Sequence, residues 1–170
     1  MEGLMVKEKA KESKGHNLTG GKFLSFFLGD EEYAIDILKV QEIIGLMPIT
    51  KVPKMPDYIE GVVNLRGKII PVMNLRSRFG LPTIANTEET VMIVVQDGAR
   101  LTGVLVDKVS EVVDVTDAQI EDVPEFGIPI NDKYLAGIGK INETVKMILD
   151  AHRVVFEMPE HEKDTEEIVA

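Results

Sequence analysis

Cysteine and tryptophan are both missing from this 170-residue chain. Without cysteine there is no disulfide, no thiolate nucleophile and no Cys-ligated metal, and the composition suits a reducing cytoplasm. Aromatic residues make up only 5%, so a core has to be assembled from Val, Ile, Leu and Met. No segment approaches the roughly 20 consecutive apolar residues that a membrane span needs. No apolar stretch stands behind the N-terminal charges, so a secretory signal is not expected. Positive charge is also scarce. Lys and Arg total 19 against 29 Asp and Glu, a net charge of −10. That balance argues against nucleic-acid binding, which rests on neutralising phosphates.

What is present is a body rich in strand formers between two polar ends. Hydrophobic residues reach 44%, enough for one domain or one domain with an internal duplication. Residues 1–22 carry five Lys and three Glu, and residues 157–170 carry six acids and one Lys. Both segments are poor in β-branched and aromatic residues and read as mobile tails flanking a single domain over 23–156.

Within that domain the pattern is β. Residues 23–28 form a short apolar run, and 33–37 alternate apolar and polar with period two. Residues 38–44 suit either a short helix face or a continued strand. Pro48, Pro53 and Pro56 mark an irregular connection. Residues 76–80 read as one helical turn ended by glycine. VMIVV at 91–95 predicts a strand buried on both faces, and Asp97-Gly98 predicts a hairpin into a return strand over 101–106. A strand over 109–115 follows, then an irregular loop over 123–129. Strand candidates at 134–141 and 144–149 complete an all-β fold, barrel or sandwich.

The most distinctive stretch is GVVNLRGKIIPVMNL at 61–75. Two apolar runs flank Asn64-Leu65-Arg66-Gly67, which predicts a hairpin with a charged tip. Pro71 suggests an edge or a bulge in its second strand. Loops held by rigid strands are where binding residues concentrate, so Arg66 is a candidate contact residue. A faint repeat runs alongside. ILKVQEI (37–43) resembles VDKVSEV (106–112) at an offset of 69, ITKVP (49–53) resembles IEDVP (120–124) at 71, and YIEG (58–61) resembles YLAG (134–137) at 76. Two related halves of about five strands each are the size of small barrels. In this register NLRG is matched by KINE (140–143), so the Arg at the tip belongs to one half only.

Catalytic constellations do not assemble. His16, His152 and His161 show no ligand spacing, and no nucleophile elbow, phosphate loop or His-Glu-x-x-His motif occurs. Gly137-Ile138-Gly139-Lys140 resembles part of a phosphate loop but lacks its spacing and its Ser or Thr. It reads instead as a strand with a close backbone approach. The acidic pairs Glu31-Glu32, Glu88-Glu89 and Glu121-Asp122 sit at turns, where solubility explains them. A good core without such chemistry points to a binding module. Its candidate surface is Val40, Glu42, Val109 and Val112 in the two repeated Lys-Val segments, in keeping with interfaces that combine an apolar centre with charged anchors.

Taken together, AIDILKVQEI (34–43), YIEGVVNLRG (58–67), KIIPVMNLR (68–76), GVLVDKVSEVV (103–113) and YLAGIGKI (134–141) resemble the CheW family of bacterial chemotaxis adaptors. The resemblance covers 23–156. It implies two five-stranded SH3-like barrels, their halves interleaved along the chain, packed on a shared hydrophobic core with short helical turns, and it implies no enzymatic activity, no cofactor and no metal. It implies a cytoplasmic adaptor, recruited to membrane-associated receptor arrays, that couples chemoreceptor hairpin tips to the regulatory domain of the histidine kinase CheA. Carried over by motif, receptor contact in a groove between the barrels implicates Val40, Glu42, Gly61, Arg66, Val109, Val112 and Gly137. Three alternatives stay open: a CheW-like adaptor of another receptor-linked pathway, the detached regulatory domain of a CheA-type kinase, and a small β-barrel enzyme or ligand carrier.

Overall fold

The computed structural model describes residues 18–123 and 133–155. Eleven strands lie among them: β1 (Gly21–Leu28), β2 (Glu31–Asp36), β3 (Val40–Gly45), β4 (Ile59–Leu65), β5 (Lys68–Asn74), β6 (Val91–Asp97), β7 (Arg100–Val106), β8 (Lys108–Val115), β9 (Ile120–Glu121), β10 (Leu135–Ile141) and β11 (Thr144–Leu149). Two short helices, α1 (Leu75–Arg78) and α2 (Ala151–Val155), follow β5 and β11. Among the described residues no helix is long and apolar enough to cross a membrane.

The strands form two sheets, ordered β8-β1-β2-β11-β10-β9 and β3-β6-β7-β5-β4. Each curls into a small barrel, called A and B here in that order. Barrel B closes where Thr50 bridges Val62 through two backbone hydrogen bonds of 2.9 and 2.8 Å. Barrel A closes where β9 pairs with β10. The half-repeat is visible in these pairings. Thr50↔Val62 corresponds to Glu121↔Ile138, and the irregularity between Ile59 and Gly61 corresponds to the one between Leu135 and Gly137. The halves interleave along the chain by exchanging strands. β1 and β2 complete the barrel of β8–β11, while β6 and β7 complete the barrel of β3–β5.

That exchange explains the unbroken apolar runs. Successive side chains of a strand point to opposite faces, and here both faces are buried. In β6, Met92 and Val94 fill barrel B while Ile93 and Val95 face the core between the barrels. In β1, Phe23 fills barrel A while Leu24 and Phe26 face that same shared core. Phe26, Tyr33, Phe79 and Tyr134 form a chain of ring contacts across it, with centroids 6.0, 5.5 and 5.2 Å apart.

Three sequence expectations are refined. The ambiguous stretch 38–44 divides into a 3₁₀ turn, Ile37–Lys39, capped by the Asp36 carboxylate on Leu38 N–H, followed by β3. β5 is an inner strand rather than an edge. Pro71 is accommodated because the parallel ladder to β7 begins only at Val72, so no donor is missing there. The expected N-terminal tail over 1–22 is too long: β1 starts at Gly21, and Leu18 packs against the interior of barrel A. Residues 157–170 and most of the 123–129 loop lie outside the described residues.

Candidate functional site

The β4–β5 hairpin turns through Arg66 and Gly67, both with left-handed φ (50° and 84°). This two-residue pattern matches the twist of the flanking strands. The Asn64 side chain fixes it by accepting the Gly67 N–H at 2.7 Å. A non-glycine residue held at positive φ costs about 1 kcal/mol or more, so Arg66 occupies its place at the expense of backbone strain.

Its guanidinium reaches strand β3, where Nη2 lies 2.6 Å from Glu42 Oε1. Glu42 owes its direction to an irregular register between Val40 and Glu42 opposite β6, a bulge of the kind that re-aims side chains. The Arg66 side chain remains 64% exposed and Glu42 27%. Such a pair contributes at most about 1 kcal/mol to stability, while it fixes where the positive charge stands. The two sequence-derived charged candidates, 24 residues apart, therefore form one unit across the two edge strands of barrel B.

The valines surround the shared core. Val40 and Val109 are half-buried and pack against it from β3 and β8. Val112 stands opposite Leu24, whose side chain is in that core, and is 52% exposed. Ile43 occupies the matching place in β3, opposite buried Ile93, and is 42% exposed. Sequence reasoning passed over Ile43, although the 69-residue repeat aligns it with Val112. Val40, Ile43, Val109 and Val112 thus border one apolar layer from its two sheets.

The glycines play another part. A Cβ on Gly61 would stand 2.2 Å from the Thr50 carbonyl oxygen, and its φ is +147°. Gly61 is the place where the chain must pass bare for barrel B to close. Gly137, its counterpart in β10, is buried against Leu18 and Glu121, with a virtual Cβ 3.1 and 3.2 Å from their nearest atoms. Both shape the strands beneath the surface and present no side chain to it.

Two polar joints that the sequence pattern does not single out tie the barrels together. At the β7–β8 crossover, Arg76 Nε and Nη2 donate to both oxygens of Asp107 (2.9 and 2.5 Å), which also accepts the Gly29 N–H at 2.7 Å. The Arg76 bond, with help from Gly29, holds the Asp107 carboxyl below the usual carboxylate range. Near the other crossover, Asp97 accepts from His152 Nδ1 at 2.6 Å and stands 3.5 Å from Lys39 Nζ; the His152 bond leads in lowering its pKa.

This architecture, two strand-exchanged barrels with an Asn-Leu-Arg-Gly hairpin tied to β3, agrees with the comparisons to known proteins. The CheW-like domain family matches residues 22–157. The chain belongs to the CheW-like family. Relatives include the chemotaxis protein CheW of Klebsiella aerogenes, 43% identical over 136 residues (80% of this chain and 82% of that protein). The chemotaxis protein CheW of Helicobacter pylori is 36% identical over 134 residues (79% and 81%). Among solved structures, the scaffolding protein TtCheW of Thermoanaerobacter tengcongensis superposes with a TM-score of 0.75 at 34% identity, covering 82% of this chain and 94% of that one. The CheW-like match begins at the second residue of β1 and spans both barrels.

Proposed function

We propose that this protein is a non-enzymatic chemotaxis adaptor that couples the cytoplasmic hairpin tip of chemoreceptors to the regulatory domain of the kinase CheA. It works in the cytoplasm, at receptor arrays on the membrane. Family membership supports the pathway. The observation that carries the site is the Arg66–Glu42 pair at the margin of an apolar border formed by Val40, Ile43, Val109 and Val112. A receptor helix laid along that border buries apolar residues at i, i+3 and i+4, the helix-in-groove mode. Arg66, held in place by Glu42, offers its remaining donors to a receptor carboxylate or carbonyl as a charge-assisted bond. Gly61 and Gly137 serve by setting the path of the strands below.

The test is a pull-down with a receptor cytoplasmic fragment and a CheA-type kinase, with kinase activity as the readout. Joint capture and receptor-dependent control of the kinase are expected. Capture of neither partner by the folded protein overturns the reading. Capture by receptors of a non-chemotactic pathway alone would move it to that pathway.

A further inference from the structure

The two barrels are built alike but filled differently. Inside barrel A, Lys146 on β11 forms an ion pair with Glu32 on β2, and the Ser25 hydroxyl donates to the same carboxylate. Lys146 and Glu32 are only 5% and 13% exposed and Ser25 is fully buried. At the matching places in barrel B stand Ile70, Leu101 and Val94, all part of an apolar interior. Two further apolar positions of barrel B, Val63 and Leu105, are Gly139 and Asp36 in barrel A.

The seams differ in the same sense. In barrel B the β4–β5 hairpin joins β7 through three register pairs, from Val72↔Gly103 to Asn74↔Leu105. In barrel A the β10–β11 hairpin joins β2 through two, Met147↔Tyr33 and Ile148↔Ala34. The Glu32–Lys146 pair crosses this shorter seam. The turns differ too: Asn142 and Glu143 both adopt left-handed φ (48° and 67°), whereas barrel B has a glycine at its second turn position. The far sides of the two hairpins are held by one bridge, Thr50↔Val62, with Arg66–Glu42 in barrel B, and by two register pairs, Ile138↔Glu121 and Gly139↔Ile120, with Lys140–Glu121 at 3.0 Å in barrel A. Barrel A is thus no less tied on its far side, and its deficit lies in the interior and along the β2–β11 seam.

A buried ion pair offsets its desolvation poorly, and apolar side chains of similar volume commonly do as well or better. Local opening follows the regions with least apolar burial. We propose that barrel A is the yielding half of the molecule. Its β10–β11 hairpin opens away from β2 along the Ser25–Glu32–Lys146 network while barrel B, with the Arg66–Glu42 unit, stays closed. The protein thus carries a conformational degree of freedom on one side only, and a partner seated on both barrels meets one rigid and one adaptable wall.

Hydrogen exchange of the full chain, followed by mass spectrometry, tests this. Peptides covering 135–149 should exchange at least about tenfold faster than those covering 59–74, as expected for sub-global opening. Equal rates or the reverse order overturn the proposal. The triple variant S25V/E32L/K146I gives barrel A the residues of barrel B. It should slow exchange over 135–149 and leave 59–74 unchanged; unchanged or faster exchange over 135–149 overturns the role of the network. Should that variant not fold, Lys146→Met strands the Glu32 carboxylate and should speed exchange in 135–149 alone. Equal acceleration in both hairpins would show a single cooperative unit and overturn the proposal.

Discussion

Arg78 Nε donates to the Val154 carbonyl at 2.9 Å, and these two residues hold the same place in the two halves of the chain, 76 positions apart. The pseudo-symmetry continues around them. The Arg78 guanidinium carbon lies 4.3 Å from the Tyr58 ring centroid and 5.2 Å from that of Tyr134, themselves matching residues. One cation therefore touches an aromatic ring from each half and caps the end of α2. Guanidinium suits this place because it is planar, stacks on rings and donates in a fixed fork. Replacement by Ala should lower unfolding free energy by about 2–4 kcal/mol, from lost cation–π contact and charge-assisted bonds. Arg78→Lys should recover only part of that. Urea unfolding checks both, read as a shift in midpoint at constant slope.

A different outcome is expected at Arg66, whose side chain is largely exposed beside a partly buried Glu42. Arg66→Glu and Glu42→Arg should each change stability by less than about 1 kcal/mol. Each should weaken receptor-dependent kinase control about tenfold, as an interface anchor does when removed. The double swap rebuilds the pair with reversed polarity. If Glu42 serves only to hold its partner in place while Arg66 makes the contact, the swap should not restore control. Recovery in the reconstituted assay would instead assign the pair a purely structural part in shaping the turn.

Much of this was readable in the sequence, and the limits have physical causes. Period-two alternation and turn residues located the strands, because these depend on neighbours along the chain. The repeat of 37–43 in 106–112 foretold two halves. The exchange of β1–β2 and β6–β7 between barrels left no local trace: a strand's pattern records how many of its faces are buried, not which half supplies the partner. For the same reason the Arg66–Glu42 pair was invisible, though both residues were candidates. Its geometry depends on a bulge in β3 and on curling that brings two edge strands together. Leu18 and Gly21 read as part of a tail because the glycine and polar residues around them mask one anchoring Leu. Gly61 was singled out by family resemblance, and its closeness to Thr50 emerges only once the barrel is closed.

The Arg76–Asp107 joint predicts a pH dependence of defined sign. The folded-state pKa of Asp107 lies below its unfolded value of about 3.9. The unfolded chain therefore binds more protons over that interval, and stability rises with pH there. The contribution is fully present above about pH 4 and is lost as pH falls through the folded value. Asp107→Asn should be less stable than the parent at pH 7, with the gap narrowing in acid. Melting temperatures measured from pH 7 down to about pH 3 test this; a gap that stays constant would show that the joint acts by packing rather than by charge.

Gly61 and Gly137 occupy matching places, yet their substitution should have unequal effects. At Gly61 an added methyl meets the Thr50 carbonyl oxygen at 2.2 Å and its carbon at 2.8 Å, both backbone atoms engaged in barrel closure, and φ is +147°. Neither strain nor clash can relax without parting Thr50 from Val62, so Gly61→Ala should cost about 2–4 kcal/mol. At Gly137 the nearest atom is the far end of the Leu18 side chain at 3.1 Å, which can swing aside, although the Glu121 carbonyl at 3.2 Å gives less readily. Removing glycine also lowers the entropy of the unfolded chain, a gain of about 0.4–1 kcal/mol at compatible positions. Gly137→Ala should therefore change stability by about 1 kcal/mol or less. Parallel denaturation of the two variants decides the matter. Equal losses would mean that closure at β9–β10 is as tight as at Thr50–Val62, whereas the expected difference locates the unyielding point of the fold in the barrel that carries Arg66.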